Sequence, residues 1–316
     1  MRETKNMQEN EPYFDDEIDL RELFNALWTA KKLIIQITAI FAIGSVAYSL
    51  LLSNYYKSES LLIARSASET QGLSQFGGLA AMAGVNLPSS GEDKAAQTIE
   101  LIKSRKFVKH LMTFDDILPS IMAAKTYKSG SQELLFDQKL YDSENKTWKR
   151  KPKKNGPIIP SYLEAHEVYI GNILSISQDK TTGFISINIE HISPLFAKEL
   201  LELIIRESNE LLRKKDMEES KQGLGYLTSE LSKTPFVEIK GSINALIEVQ
   251  LETQMLAQIH QDYMLIEIEP PFIPEKKSKP GRALICVLGT MLGGMLSVLI
   301  VLIRHYSFAE EEQAVE

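Results

Sequence analysis

Three groups of residues have types and spacing that could do chemistry. Lys146 to Lys154, KTWKRKPKK, places Lys149, Arg150, Lys151, Lys153 and Lys154 around Trp148, a basic loop suited to an anion such as a phospholipid head or a diphosphate-linked glycan. A solvated loop explains the same run. Gln250, Gln254 and Gln258 recur every four residues. On a helix their amides share a face and could bond across a subunit interface or to sugar hydroxyls, with an ordinary polar face as the alternative. Gly289 and Gly293 form GTMLG, a GxxxG pattern followed by Gly294, which lets apolar helices approach closely.

Catalytic chemistry finds no comparable support. The chain has no GxxxxGK[ST] phosphate loop, no HExxH and no GxSxG. His110, His166, His191, His260 and His305 lack metal-ligand spacing, and the pairs Asp15-Asp16 and Asp115-Asp116 read as helix-start signals. Cys286 is the only cysteine, so the large domain is expected to hold together by packing without a disulfide. No enzyme, cofactor or metal is therefore expected. The net charge of −7 argues against a nucleic-acid partner.

The elements around these groups begin with two uncharged runs, 33–52 and 283–303, each long enough as a helix to span a bilayer core of about 30 Å. A cleaved signal peptide does not fit the first, because a long segment precedes it and no small-x-small site follows Leu52. Arg21, Lys31, Lys32 and Arg304 favour cytoplasmic termini, whereas Lys276, Lys277, Lys279 and Arg282 pull the other way. Long loops translocate largely regardless of charge. The expectation is thus a cytoplasmic segment 1–32, a large domain 53–282 outside the cytoplasm, and a cytoplasmic tail 304–316.

Before the first span, IDLRELFNALW puts Leu20, Leu23, Phe24, Leu27 and Trp28 at helical spacing, with Asp19 and Glu22 in a capping-box arrangement. Either a helix at the membrane surface or a partner-docking helix, with Trp28 at headgroup level, or a plain extension of the span would read this way. Gln71 to Asp93 is a Gly- and Ala-rich loop or a flap that orders against a neighbour. A helix is expected over about 94–112, with Ile99, Ile102, Phe107 and Leu111 inward. SESLLIA, GFISINIEHI and LIEIE would make a small sheet, near the membrane because two of its strands adjoin the spans.

Ser193 and Pro194 start a helix over about 194–233, whose length of about 60 Å exceeds what a compact domain needs, so it should project. Its apolar stripe runs from Phe196, Leu200, Leu203 and Ile204 and thins to Met217, Leu224 and Leu231. A second helix, about 236–262, returns with Ile239, Ile243, Ile247, Leu251, Met255 and Ile259 on one face. So narrow a stripe buries little area alone, which implies a homo-oligomer. Pro270, Pro271, Pro274 and Pro280 make 270–280 a semi-rigid extended strut that carries the domain's orientation to the second span.

IDLRELFNALWTAKKLII, LIEVQLETQMLAQ and PEKKSKPGRALICVLGTMLGGMLSVLIVLIR resemble the Wzz chain length determinant family, the polysaccharide co-polymerases of lipopolysaccharide O-antigen. The resemblance implies an α+β membrane protein of the inner membrane. Two transmembrane helices would flank a periplasmic domain with a small membrane-proximal α/β base and a long protruding helical hairpin. It also implies a ring-like homo-oligomer without catalytic residues, which fixes the repeat number that a separate O-antigen polymerase adds to an undecaprenyl-diphosphate-linked glycan. Neither Gln71–Asp93 nor Lys146–Lys154 carries that family's pattern, so no residue there inherits a role. A capsule, enterobacterial-common-antigen-like or exopolysaccharide co-polymerase or export subunit would share the architecture. Missing Walker motifs speak against the kinase-fused co-polymerases, and the short segment 304–316 speaks against a two-span sensor.

Overall fold

The computed structural model describes residues 20–65, 91–151, 156–260 and 262–313. In chain order these form helices α1 (Leu20–Thr29) and α2 (Lys31–Leu51), strand β1 (Tyr55–Ala64), and helices α3 (Gly91–Lys103), α4 (Arg105–Leu111) and α5 (Ile117–Ala123). Strands β2 (Ala124–Lys128), β3 (Glu133–Phe136), β4 (Tyr141–Asp142) and β5 (Thr147–Trp148) come next. Helix α6 (Tyr162–Val168) follows and passes into a π-helical turn, Tyr169–Ile173. Strands β6 (Leu174–Gln178) and β7 (Phe184–His191) lead into helices α7 (Pro194–Lys233) and α8 (Val237–Ile259). Strands β8 (Leu265–Glu269) and β9 (Lys277–Lys279) and helix α9 (Arg282–Gln313) complete the chain. Contacts divide the elements into two units, residues 1–52 with 280–316, and residues 53–279.

In the first unit α2 and the segment Arg282–His305 of α9 are each long and apolar enough to cross a membrane. Only 6% and 17% of their apolar windows are buried, whereas a core helix of a soluble protein would be mostly covered. The α9 helix runs on past the expected span to Gln313. Ala30, with φ −89° and ψ 10°, separates α1 from α2, so α1 is an element of its own.

The second unit is built on an antiparallel sheet of order β6-β7-β1-β8, with β9 also paired to β1. The three strands expected from the alternation of apolar residues are β1, β7 and β8, and β1 lies between the other two. On the inner face Ser58, Ser60 and Leu62 of β1 stand opposite Ile189, Ile187 and Ile185 of β7. The first half of α7 covers this face with Phe196, Ala197, Leu200, Leu201, Ile204 and Ile205, all buried. Burying each large aliphatic side chain contributes about 1.5–3 kcal/mol, which is what commits this half of the helix to the sheet.

The single helix expected over 94–112 is two helices. Ser104 adopts an extended backbone (φ −73°, ψ 149°) and its side chain accepts a hydrogen bond from the Phe107 amide, capping α4. The bend turns Phe107, Val108 and Leu111 fully into the core, beside Ile102 of α3. Residues 71–90 of the Gly- and Ala-rich segment lie outside the described residues, as does the expected cap Asp19.

From Pro194 the α7 helix continues unbroken to Lys233, capped by the Ser193 side chain, which accepts from the Phe196 amide. The last side chain it buries against the main core is Ile205, and Met217, Leu224 and Leu231 are half-buried beyond it, where the helix pairs with α8. Helix α8 ends at Ile259, short of the expected 262, because His260 turns to extended backbone (φ −99°, ψ 122°) toward β8. The apolar face expected to pack in the hairpin does not do so as one stripe. Ile243 is buried and Ile247 half-buried, but Ile239, Leu251, Met255 and Ile259 are 48–65% exposed.

Candidate functional site

Four places bring together the residues singled out by the sequence. The first is the passage from β8 to β9 through the proline segment. Proline has no amide to give a β-ladder, so pairing by backbone alone cannot continue here. Two fully buried serines of β1 substitute for it: Ser58 donates to the Phe272 carbonyl and Ser60 to the Glu269 carbonyl, each at 2.7 Å. Pro271 and Pro274 are buried, while Pro270 is exposed and Pro280 half-buried. Glu190 of β7 then fastens the end of the segment, accepting from the Ser278 hydroxyl and the Lys279 ammonium, both at 2.5 Å. The extended strut is therefore tied to the sheet along its length.

The second place is the glycine pair of α9. A Cβ at Gly289 would collide with Ser45 of α2, and one at Gly293 with Phe41. These two glycines seat α9 against the other membrane-length helix of the same chain. Gly294 has open space where its side chain would be, so it takes no part in that seat.

The third is the basic run. Residues Thr147 and Trp148 form β5, paired with β4, and Trp148 lies against Tyr141 with ring centroids 5.0 Å apart. Lys149 pairs with Asp142 at 2.6 Å, and the lysine holds the Asp142 carboxyl well below the usual carboxylate range. Arg150 pairs with Glu164 and donates to the carbonyls of Pro157 and Ile158, so it fastens its own loop to α6. Two of the five expected anion-binding charges thus have internal partners. Lys151 is exposed, and Lys153 and Lys154 lie outside the described residues.

The fourth is the glutamine face. Gln250 packs its side chain on Gly223 of α7, 3.4 Å from where a Cβ would stand, and its carbonyl accepts from the buried Ser220 hydroxyl at 2.6 Å. Gly223 therefore sits in the contact between the two helices. Gln254 is half-buried, and Gln258 is exposed. The three amides do not present one equivalent surface.

Three of the histidines have partners within the fold: His110 meets Glu207 at 2.8 Å, and His166 the Lys103 carbonyl at 2.8 Å. His191 accepts from the Ser193 amide through Nδ1 and donates through Nε2 to the Ser120 carbonyl, and burial pushes its pKa down to about 4. Asp115 and Asp116 precede α5 as expected, but the Asp116 side chain makes no cap hydrogen bond and its φ is 62°. Both line an open cleft of about 450 Å³ with Glu199, Glu202 and Arg206. Among the described residues no group of three His, Cys, Asp or Glu side chains is placed to hold a metal.

One clasp escaped the sequence. Asn209, buried in α7, accepts from the amides of Met264 and Leu265 at 2.9 and 2.7 Å and donates to the Leu265 carbonyl at 3.0 Å, joining α7 to the edge strand β8. Its only sequence signal is a polar residue one position after Ser208 on the buried stripe of α7.

The span pair, β1, α3 and α4 frame the comparison with known proteins. Residues 16–113 match the Wzz family, described as chain length determinant protein. The matched region, just under a third of the chain, is similar to that family. The matched region takes in α1, α2, β1, α3 and α4, and so holds the partner helix of the α9 glycines and the serines that fasten the proline segment. Tyrosine-protein kinase etk from three Escherichia coli strains is 30% identical over 150 residues, which are 47% of this chain and 18% of each relative. A solved full-length bacterial polysaccharide co-polymerase aligns over 93% of this chain and 99% of its own, at 12% identity and a TM-score of 0.40.

Proposed function

We propose that the chain is a polysaccharide co-polymerase that sets the number of repeat units in lipopolysaccharide O-antigen made by a separate membrane polymerase. It sits in the inner membrane with residues 53–279 in the periplasm, and it acts as a non-catalytic homo-oligomer, ring-like in arrangement, on a glycan carried by undecaprenyl diphosphate. The observation that carries this reading is the Wzz match over residues 16–113, which includes the first membrane-length helix and the central strand of the sheet. Supporting it, the exposed apolar side chains of α8 leave area for neighbouring copies to cover. The test is a lipopolysaccharide gel from the native bacterium with the gene deleted and restored. A modal O-antigen band that collapses to an unregulated ladder and returns on restoration supports the proposal.

A second reading, a co-polymerase for capsule or exopolysaccharide, draws on the etk likeness. An unchanged O-antigen ladder with altered capsule or exopolysaccharide length on the same strains would select it.

A further inference from the structure

Helix α1 ends in an aromatic and cationic cluster that none of the described contacts covers. Phe24 and Trp28 stack with centroids 5.9 Å apart, and the Lys31 ammonium lies 4.7 Å from the centre of the Trp28 ring. Both aromatic side chains are 62% exposed, while Leu23 and Leu27 on the same helix are half-buried. The helix packs on α2 and α9, so it already uses one apolar side within its own unit and holds a second outward. Large exposed rings of this kind mark a contact with something else.

We propose that Trp28 and Lys31 seat an anionic phospholipid at the bilayer surface. The level is fixed by length. Helix α2 has 21 residues, about 31 Å, which the hydrocarbon core takes up entirely, so Lys31 and Lys32 stand at the headgroups and Trp28 beside them. An indole has an apolar body and one N–H donor, and it settles at that depth. The sign of the lipid follows from charge. From Leu20 to Lys32 the sequence carries Arg21, Lys31 and Lys32 against Glu22, a net +2, and the carboxylates of Asp15, Asp16, Glu17 and Asp19 come earlier, farther from the span along the chain. Cations at the headgroup layer attract acidic lipid, and the cation–π contact keeps the Lys31 ammonium over the ring while leaving its N–H groups to a phosphate.

The chain has two tryptophans, which makes the idea measurable. Full-length protein is placed in nanodiscs of phosphatidylcholine or of phosphatidylcholine with phosphatidylglycerol, with bromine high or low on the acyl chains. The Trp28 contribution is the difference between the wild type and Trp28→Phe, so Trp148 needs no alteration. Quenching of Trp28 by high bromines more than by low ones, and more strongly when phosphatidylglycerol bears the bromine, is the expected result. Lys31→Gln should keep the depth and lower the phosphatidylglycerol preference about fivefold. Trp28 emission untouched by bromolipid but quenched by aqueous iodide would overturn the proposal, as would shielding from both, which would mean a protein partner. Equal quenching through the two lipids would overturn the anionic seat.

Discussion

Asn209 and His191 are the two polar side chains on which the packing of α7 turns. Truncating Asn209 takes the side-chain partner from the amides of Met264 and Leu265 and from the Leu265 carbonyl, and each buried group left unsatisfied costs about 1–3 kcal/mol. Asn209→Ala should therefore destabilise the full chain in detergent by several degrees of thermal midpoint; an unchanged midpoint would mean that water replaces the amide. His191 is neutral in the fold, since Nδ1 receives a hydrogen bond that a protonated ring could not accept. Its pKa falls from 6.5 in the unfolded chain to about 4 in the fold. The stability from this depressed value is present above pH 6.5 and is lost as pH falls toward 4, by roughly 3 kcal/mol in all. The stability gap between wild type and His191→Gln should narrow across that window when thermal midpoints are measured from pH 7 to 4. A constant gap would remove His191 as the cause. Neither residue's role is legible in the sequence, because the partners of both include backbone groups brought in from remote segments, near residues 264 and 120.

At the scale of elements, what the sequence revealed is what periodicity encodes. The alternation in Gly183 to Ile192 and the cap at Ser193 with Pro194 located β7 and the start of α7, since both signals are local. The break at Ser104 was hidden, because a serine inside a helical pattern looks tolerable until Phe107 shows which way the core lies. The strands β4 and β5 were hidden as well, for two-residue strands leave no period to detect. The glycines of α9 were seen as a group but not divided, and the division yields a prediction. Gly293→Ala must push Phe41 aside and should cost about 1–3 kcal/mol, as should Gly289→Ala against Ser45. Gly294→Ala meets open space and should change stability by less than about 0.5 kcal/mol. Thermal unfolding in one detergent compares the three, and equal effects at 293 and 294 would show that the helix seat differs from this one.

For the whole molecule the question is what the α7–α8 hairpin gains from being so long. Helix α7 buries residues in the main core only as far as Ile205, and Asn209, Leu212, Asp216 and Met217 then join it to the chain near Tyr263 and Met264, so that beyond Met217 its partner among the described elements is α8. Along α8, Leu251, Met255 and Ile259 are more than half exposed, which a monomer in water has no reason to maintain over two turns. A second copy placed beside this stripe would cover it, in keeping with the oligomer proposed above. The joint variant Leu251→Glu with Met255→Glu tests this without disturbing the fold, since neither side chain is needed inside the hairpin. The mass of the detergent-solubilised particle by light scattering should fall, with a thermal midpoint near that of a dissociated wild type. The modal glycan band should broaden in the same strain if assembly sets length. A particle of unchanged mass would place the subunit contacts elsewhere, and a fallen mass with an unchanged band would separate assembly from length control.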